Sequence, residues 1–284
     1  MMPRITISQK NQTHLKDYGT VLVAITLGLI LVFPVFYGIM VAFKTRAELS
    51  VFPPRLLPDN FTNLENFKTV FQIAPIMRFI LNSLIVSSMG SGLRIAFAIL
   101  SAYAFTYFVF PGKTLLFGII LASMMFPADT LVVTNYLTIL RLNLLDNYFA
   151  LTVTALVGAS QMFMLRQNMK SIPLSYRDAA FIDGCGDLRY LFHIVLPFSR
   201  PVIMILLVQS FISFWNTYLW PLLVTNRLEM RTVQIGVAML TNPLDTNFTL
   251  VLAAVTIILI PSFVIFIFLR MAVIRGIDSG ALVN

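Results

Sequence analysis

"DAAFIDGCGDLRYLFHIVLP", residues 178–197, is a polar segment between two apolar runs of the chain. It contains three aspartates, one arginine, one histidine, two glycines and the only cysteine of the sequence. Elsewhere the chain is strongly apolar: 58% of its 284 residues are hydrophobic and 11% are charged, against about a quarter charged in a typical soluble domain. The function of this segment therefore depends on what the apolar runs around it form.

The apolar runs indicate an integral membrane protein built from helices. A helix needs about twenty apolar residues to cross the hydrocarbon core, and backbone groups in lipid must be paired within the protein. Transmembrane strands would alternate polar and apolar positions, whereas these runs are apolar on every face. We predict an all-α polytopic membrane protein with six transmembrane helices. The predicted spans are residues 19–43, 80–106, 115–137, 147–166, 202–224 and 249–270.

The first and third of these spans have features that could change their assignment. The first run is too long for the core of a signal peptide and has no clear small-residue cleavage site, so we expect it to be retained. Pro127 and Asp129 interrupt the third, and we expect "TLVVTNYLTIL" (131–141) to continue it as an interfacial or bent segment.

Lysine and arginine residues favour a cytoplasmic N-terminus, since inner segments then hold eleven of them and outer segments eight. Six spans place both termini in the cytoplasm, including an N-terminal segment of residues 1–18. The same parity makes residues 44–79 an outer loop and residues 167–201 a cytoplasmic loop. Residues 19–284 are predicted to form a single transmembrane domain.

Composition also argues against several kinds of site. The net charge of +8 is scattered among loops, which favours a membrane surface and lipid contacts over nucleic acid. One cysteine excludes an intrachain disulfide, and we interpret Cys185 as a small packing residue. His14 and His193 lack partners at ligand spacing, so we predict no metal site. "FPGKT" (110–114) ends like a phosphate-binding loop but has Tyr107 where that loop needs glycine, so we expect no ATP site in this chain.

Two positions within the spans could line a translocation path. Arg94 lies inside the second span, where a cation must face either a polar cavity or neighbouring carbonyl groups; both interpretations stay open. Asn216 lies between Trp215 and Tyr218, an arrangement that could bind a sugar-like solute by stacking and hydrogen bonding. An interhelical hydrogen bond within an aromatic belt, with Trp220-Pro221 ending the helix, is favoured over that interpretation.

The opening segment itself predicts a helix, a glycine turn and a second helix. Ser171 and Pro173 favour a helix start, and Ala179 and Ala180 are expected to expose a flat surface of small residues. Gly184 and Gly186 permit a sharp turn. Asp187 favours the start of the second helix, which we expect Pro197 to end. Such a shape suits docking into a groove of another protein, whereas a hairpin on the membrane surface would need no particular spacing.

The spacing closely resembles the cytoplasmic EAA loop of binding-protein-dependent ABC importer permeases. The positions of that motif are occupied by Asp178-Ala179-Ala180, Gly184, Ile194 and Leu196-Pro197, with every interval matched. Asp178 replaces the usual glutamate, and Cys185 replaces the alanine that usually follows Asp183-Gly184. "NSLIVSS", "SAYAFTYFVFPGK", "MMFPADTLVVTNYLTILRLNLLDNYFAL" and "WNTYLWPLLVT" are similar to the carbohydrate branch, in particular to its second permease subunit.

The resemblance implies the type I importer permease fold and a non-catalytic transport subunit in the bacterial plasma membrane. The expected cargo is a sugar or oligosaccharide. Glycerol-3-phosphate is the alternative, because "WNTYLWPLL" and "RGIDSGALVN" resemble permeases for that solute. The implied partners are a second homologous permease, a cytoplasmic ATPase dimer that holds ATP and Mg²⁺, and an extracytoplasmic solute-binding protein. The residues implied to couple to the ATPase are Asp178, Ala179, Ala180, Asp183, Gly184, Ile194, Leu196 and Pro197.

Two other classes fit the residues less well. A secondary transporter would usually carry paired discontinuous helices or membrane acids for ion coupling. A membrane-embedded enzyme would need a polar catalytic cluster inside the spans, and none is visible in the sequence.

Overall fold

The computed structural model describes residues 7–241 and 247–281, with side chains for 20–127, 130–241, 247–268, 270 and 271. The predicted N-terminal segment 1–18 lies outside these residues except for its helical backbone from Ile7 onward. The described ranges contain no strand, in agreement with the all-α prediction. Their α-helices are α1 (Ile7–Ala42), α2 (Arg46–Leu49), α3 (Glu65–Ile73), α4 (Ile76–Tyr107), α5 (Lys113–Ser123), α6 (Val132–Arg141), α7 (Tyr148–Val153), α8 (Ala159–Lys170), α9 (Leu174–Ile182), α10 (Asp187–Tyr190), α11 (Leu196–Trp215), α12 (Leu219–Val224), α13 (Val233–Ala238) and α14 (Phe248–Ala281).

Four helical stretches in the described part of the chain are long and apolar enough to cross a membrane. They correspond to the predicted first, second, fifth and sixth spans. Their bounds are Thr20–Ala42, Ile76–Tyr107, Asp187–Trp215 and Phe248–Phe268.

The predicted third and fourth spans are each divided between two shorter helices. In the third, α5 ends at Ser123, and Pro127, which has no backbone N–H, lies in the break before α6. The predicted continuation at 131–141 is therefore mostly a separate helix. In the fourth, α7 ends at Val153 and α8 begins after Gly158, whose backbone is extended. The interruption of the third span at Pro127 agrees with the predicted bent or interfacial continuation. The prediction of an unbroken fourth span was wrong, because apolar composition does not distinguish one long helix from two short ones.

The fifth span also differs from the prediction. A π-helical turn, Leu191–Val195, joins α10 to α11 into one continuous helix. At its end the N–H of Leu196 donates to the carbonyl of Leu191. The helix thus changes its hydrogen-bond register immediately before Pro197, which has no N–H and occupies the start of α11. Pro197 does not end the helix, contrary to our prediction.

The chain divides into two compact units. The first contains residues 1–73 and 240–257. In it, side-chain amides donate to the carbonyls at the end of α1: Asn66 to Ala42, the last residue of the helix, at 2.8 Å, and Asn63 to the following Phe43 at 3.1 Å. These asparagines satisfy acceptors that a helix end leaves free. Thr249 donates in turn to the Asn66 side-chain oxygen, 3.0 Å away.

Glu48 organises the loop after α1 in the same unit. Its carboxylate accepts the backbone N–H groups of Thr45 and Asp59, the latter at 2.9 Å. These two hydrogen bonds, that from Thr45 first, lower the pKa of Glu48 below its ordinary value. The carboxylate thereby joins two parts of the loop that lie eleven residues apart.

The second unit contains residues 74–239 and 258–284. Its main core cluster contains buried side chains of α4, α8, α9 and the helix Asp187–Trp215. A second cluster joins α4, α6, α7, α11 and α12. Both the predicted coupling residues and the predicted path residues belong to this unit. The predicted single domain, residues 19–284, stays a prediction.

Candidate functional site

The predicted helix–turn–helix forms as the sequence indicates. α9 follows Pro173 and ends before Asp183, and Gly184 has a φ of +77°, a left-handed conformation that favours glycine. Gly186, by contrast, has a φ of −79° and precedes α10, whose first residue is Asp187. The turn is therefore confirmed, and its backbone requirement falls on Gly184 alone.

The two alanines of the motif have different surroundings. Ala179 and Asp178 are exposed, whereas Ala180 is buried in the main core cluster of the second unit. Our prediction that both alanines form an exposed surface was therefore wrong. At helical spacing, one side of α9 must pack on the protein while another faces outward. Ala180 is the small residue that allows the close approach.

Exposed side chains at the tip of this segment form a mixed surface. Ile182 is 86% exposed and Leu188 69% exposed, next to the exposed Asp183. Further along the helix Asp187–Trp215, Ile194 and Leu196 are half-buried against the main core cluster and Pro197 is exposed. The eight motif residues thus include an exposed tip and a packed stem.

Arg94 lies where the broken fourth span meets α4 and α11. Its Nε donates to the carbonyl of Ala155 at 2.7 Å, and its guanidinium lies 4.4 Å from the Phe214 ring centroid. Ala155 lies in the break between α7 and α8, so its carbonyl is available to a side chain. Of the two interpretations left open, the carbonyl contact is present; a role in the translocation path stays a prediction.

Arg94 also packs close to the glycine before α8. A Cβ at Gly158 would lie 2.2 Å from Gln161 Oε1 and 3.3 Å from Arg94 Cδ. No carboxylate of the described residues lies within salt-bridge distance of the guanidinium. Arg94, Gln161 and the Ala155 carbonyl thus lie together beside the break between α7 and α8, and we call this polar group the Arg94 node.

Asn216 is not part of that node. It follows the last residue of α11, and its Oδ1 lies 3.4 Å from Gln234 Nε2. Trp215 is buried and stacks on Phe211, while Tyr218 is 41% exposed. The helix ends at Trp215, and Pro221 lies inside α12, so Trp220-Pro221 does not end it as predicted. The favoured interhelical hydrogen bond is present, and sugar binding stays a prediction.

Residues 69–279 match the family described as the inner-membrane component of binding-protein-dependent transport systems. The chain belongs to this family.

Curated relatives of the permease cover nearly its whole length. It is 32% identical to the sn-glycerol-3-phosphate transport system permease protein UgpE of Yersinia pestis, over 88% of the chain and 92% of the relative. Identity to UgpE of Escherichia coli O1:K1 is 31% with the same coverage. The chain is thus a transport permease subunit of an ABC importer, as the motif implied.

Solved structures show the same fold. A bacterial ABC transporter for the acidic polysaccharide alginate has a chain that superposes with a TM-score of 0.79 at 21% identity, covering 95% of the permease and 99% of that chain. A second structure, with the alginate transporter bound to a periplasmic protein carrying an alginate pentasaccharide, gives a TM-score of 0.66 at 17% identity, covering 93% of the permease and 95% of that chain. The type I importer permease fold is confirmed by this likeness.

Sequence reasoning missed the residues that hold α9 in place. Tyr103 and Tyr107 lie one turn apart near the end of α4, and both contact the motif segment or its flanks. The available signal was their spacing of four residues, together with Arg177 immediately before Asp178. That these side chains meet depends on how α4 packs against α9, which no local pattern specifies.

No group of three or more His, Cys, Asp or Glu side chains that could hold a metal ion occurs in the described part of the permease. Cys185 is half-buried and packs against the main core cluster.

Proposed function

We propose that this permease forms half of a solute path together with a second, homologous permease, and that a cytoplasmic ATPase dimer moves it through residues 173–186. The observation that carries the proposal is the shape of that segment. Asp178, Ala179 and Ile182 face outward on a short helix, while Ala180 fixes the same helix to the core. A lever must combine an exposed contact surface with a firm attachment, and α9 has both.

In this proposal each exposed residue has a separate role. Asp178 supplies a negative charge for a basic group of the ATPase, and Ala179 leaves room for close approach. Gly184 allows the chain to reverse so that both helices can enter one groove. ATP and Mg²⁺ belong to the ATPase, and an extracytoplasmic solute-binding protein delivers the solute to the outer side. Both termini lie in the cytoplasm.

We propose a sugar or oligosaccharide as the solute. The similarity to the carbohydrate branch and the exposed Tyr218 beside Asn216 support this class. Glycerol-3-phosphate is the second candidate, and two observations favour it. The UgpE relatives are named as permeases of sn-glycerol-3-phosphate transport systems. The Arg94 node contains a guanidinium that has no carboxylate partner among the described residues.

The coupling proposal is tested by two substitutions with a matched control. Asp178→Lys reverses the charge offered to the ATPase, and Gly184→Val places a β-branched residue at φ +77°. We expect both variants to insert normally, lose uptake and retain ATP hydrolysis that no longer depends on the solute. Gly186→Ala is the control, because its φ is ordinary and no atom lies within 4 Å of an added Cβ. Normal uptake by either test variant would contradict the proposal.

The solute class is tested with the cognate solute-binding protein. Isothermal titration with glycerol-3-phosphate and with a series of maltooligosaccharides separates the two candidates. If glycerol-3-phosphate binds, Arg94→Leu in the complete importer should reduce its uptake while Arg94→Lys retains part of it, since lysine keeps the charge but not the planar contact with Phe214. Uptake of glycerol-3-phosphate that is equal in Arg94→Leu and wild type would exclude the node from solute recognition.

A further inference from the structure

We infer that five residues transmit the movement of α9 to the long helix α4: Tyr103, Tyr107, Arg177, Asp187 and Tyr190, here called the aromatic clasp. The inference rests on the proposed function, because it concerns how the coupling segment acts on the spans. All five residues belong to the second unit. They are positioning residues, since none of them is proposed to touch the solute or ATP.

Tyr103 connects α4 to the start of α10. Its hydroxyl lies 3.0 Å from the Asp187 carbonyl oxygen and 3.2 Å from the Asp187 carboxylate. Tyr103 is 4% exposed, whereas the Asp187 side chain is 42% exposed, so water has little access to the hydroxyl but reaches the carboxylate. A hydrogen bond to a carboxylate is nevertheless stronger than one between neutral groups. The far side of the glycine turn is thereby fixed to α4.

Arg177 connects α9, on the near side of the turn, to the same helix. Its Nη1 donates to the Tyr107 carbonyl at 3.3 Å, and its guanidinium lies 5.4 Å from the Tyr107 ring centroid and 5.1 Å from that of Phe181. Its Nη2 is 3.8 Å from the Asp187 carboxylate. This last contact is long and partly exposed and contributes little. The carbonyl and ring contacts therefore carry the attachment.

Tyr190 fills the space between the two attachments. It is fully buried, and its ring centroid lies 5.5 Å from that of Tyr107, 6.2 Å from Phe181 and 6.5 Å from Tyr103. Tilted and edge-to-face rings at these distances attract one another and resist sliding. Both sides of the coupling turn thus contact one rigid aromatic group at the end of α4.

The clasp adds α4 to the spans that the coupling segment can move. The segment is already continuous with the span Asp187–Trp215, and α9 touches that span again through Tyr176 and Phe198, whose ring centroids lie 5.2 Å apart. The clasp contacts run to α4, and the Tyr107 hydroxyl connects α4 in turn to the Met169 carbonyl at the end of α8, 3.1 Å away. Arg94 lies thirteen residues from Tyr107 on α4, or roughly 20 Å at helical rise. One continuous helix therefore joins the coupling segment to the Arg94 node.

The test uses Tyr103→Phe and Arg177→Gln in the complete importer. Tyr103→Phe removes only the hydroxyl that bonds Asp187 and keeps the ring. Tyr148→Phe is the matched control, since it removes a hydroxyl bonded to Asn82 of α4 at 2.7 Å, far along the chain from the coupling segment. ATP hydrolysis is measured in proteoliposomes with and without the cognate binding protein, with glycerol-3-phosphate or maltotetraose as probe.

We expect both clasp variants to assemble, Tyr103→Phe to hydrolyse ATP at the basal rate, and stimulation by the loaded binding protein to be reduced several-fold in both. Tyr148→Phe should keep that stimulation. Hydrogen exchange of residues 174–186 in the same complexes should be faster in the clasp variants and unchanged in the control. Wild-type stimulation and exchange in both clasp variants would overturn the inference.

Different outcomes exclude the proposed function and the role of the aromatic clasp. If the wild-type complex itself shows no stimulation by the binding protein with either probe, the proposed function fails, and the transmission role fails with it. If the wild type responds and the clasp variants respond equally, only the clasp is excluded. Should Arg177→Gln fail to assemble, Tyr103→Phe decides the question, because the lost hydroxyl leaves the packing volume nearly unchanged.

Discussion

Gly90 shows how closely α4 and α11 approach one another. A Cβ at this position would lie 2.6 Å from the edge of the Phe214 ring. Phe214 is 6% exposed and is covered by the Arg94 guanidinium, so the ring has little freedom to withdraw. A single glycine therefore sets the distance between two membrane helices, as small residues do in other helical membrane proteins.

We expect Gly90→Ala to lower the free energy of unfolding by about 1–3 kcal/mol through overpacking against Phe214. The measurement is denaturant or thermal unfolding of the detergent-solubilised permease. Gly92→Ala, two residues along the same helix, is the control. No atom lies within 4 Å of its added Cβ, and we expect it to be neutral or stabilising by up to about 1 kcal/mol. Equal effects of the two substitutions would contradict the packing account.

For single residues, the sequence indicates which side chains need a bonding group, but it does not indicate which group supplies the bond. Arg94 required a carbonyl or a polar cavity because a cation in a span is costly. That the carbonyl belongs to Ala155 depends on the break between α7 and α8, which is a tertiary feature. Gly184 was predicted correctly because a positive φ has a local signature. Ala180 was not, because the direction in which α9 faces is set by its neighbours.

At the scale of elements, Glu48 links the start of α2 to Asp59. Its lowered pKa means that the folded loop binds a proton less readily than the unfolded chain does. The stabilisation is therefore fully present above the ordinary pKa of 4.5 and is lost as the pH falls through the lowered pKa. The loop should loosen in acid and not in mild alkali.

Hydrogen-exchange protection of residues 45–59, compared at about pH 7 and about pH 3 after correction for intrinsic rates, measures this effect. We expect protection to fall at the lower pH in the wild type. Glu48→Gln should show lower protection at neutral pH and little further loss in acid. The same pH dependence in Glu48→Gln would assign the effect to another group.

The sequence predicted the positions of the long spans better than the positions of the breaks within spans. Four spans could be placed because a long apolar run has few alternatives in a membrane. Pro127 indicated the break at 124–131, but the break at 154–158 could not be placed, because short helices with the same composition can pack inside a bundle. Pro197 was expected to end a helix, but the π turn before it accommodates the missing N–H. Proline positions in such chains therefore indicate changes of register as well as helix ends.

For the whole molecule, parity predicts that residues 167–201 face the cytoplasm. Cys185 is the only cysteine, and it is half-buried in this segment, so the natural chain already contains a probe. A small membrane-impermeant thiol reagent should modify Cys185 in inside-out vesicles that contain the permease without its ATPase, and not in intact spheroplasts. Cys185→Ala should abolish the signal. Modification in intact spheroplasts would place residues 167–201 on the outer face of the membrane and contradict the proposed contact with a cytoplasmic ATPase.

The central claim is that an ATPase, acting on residues 173–186, moves solute through the permease. ATP dependence of uptake into proteoliposomes that contain the permease, its partner permease, the ATPase and the binding protein tests it most directly, with glycerol-3-phosphate and a maltooligosaccharide as probes. We predict uptake of one probe only when ATP is available to the ATPase, and hydrolysis without uptake for Gly184→Val. Uptake driven by a proton or sodium gradient in the absence of ATP would contradict the account and indicate a secondary transporter.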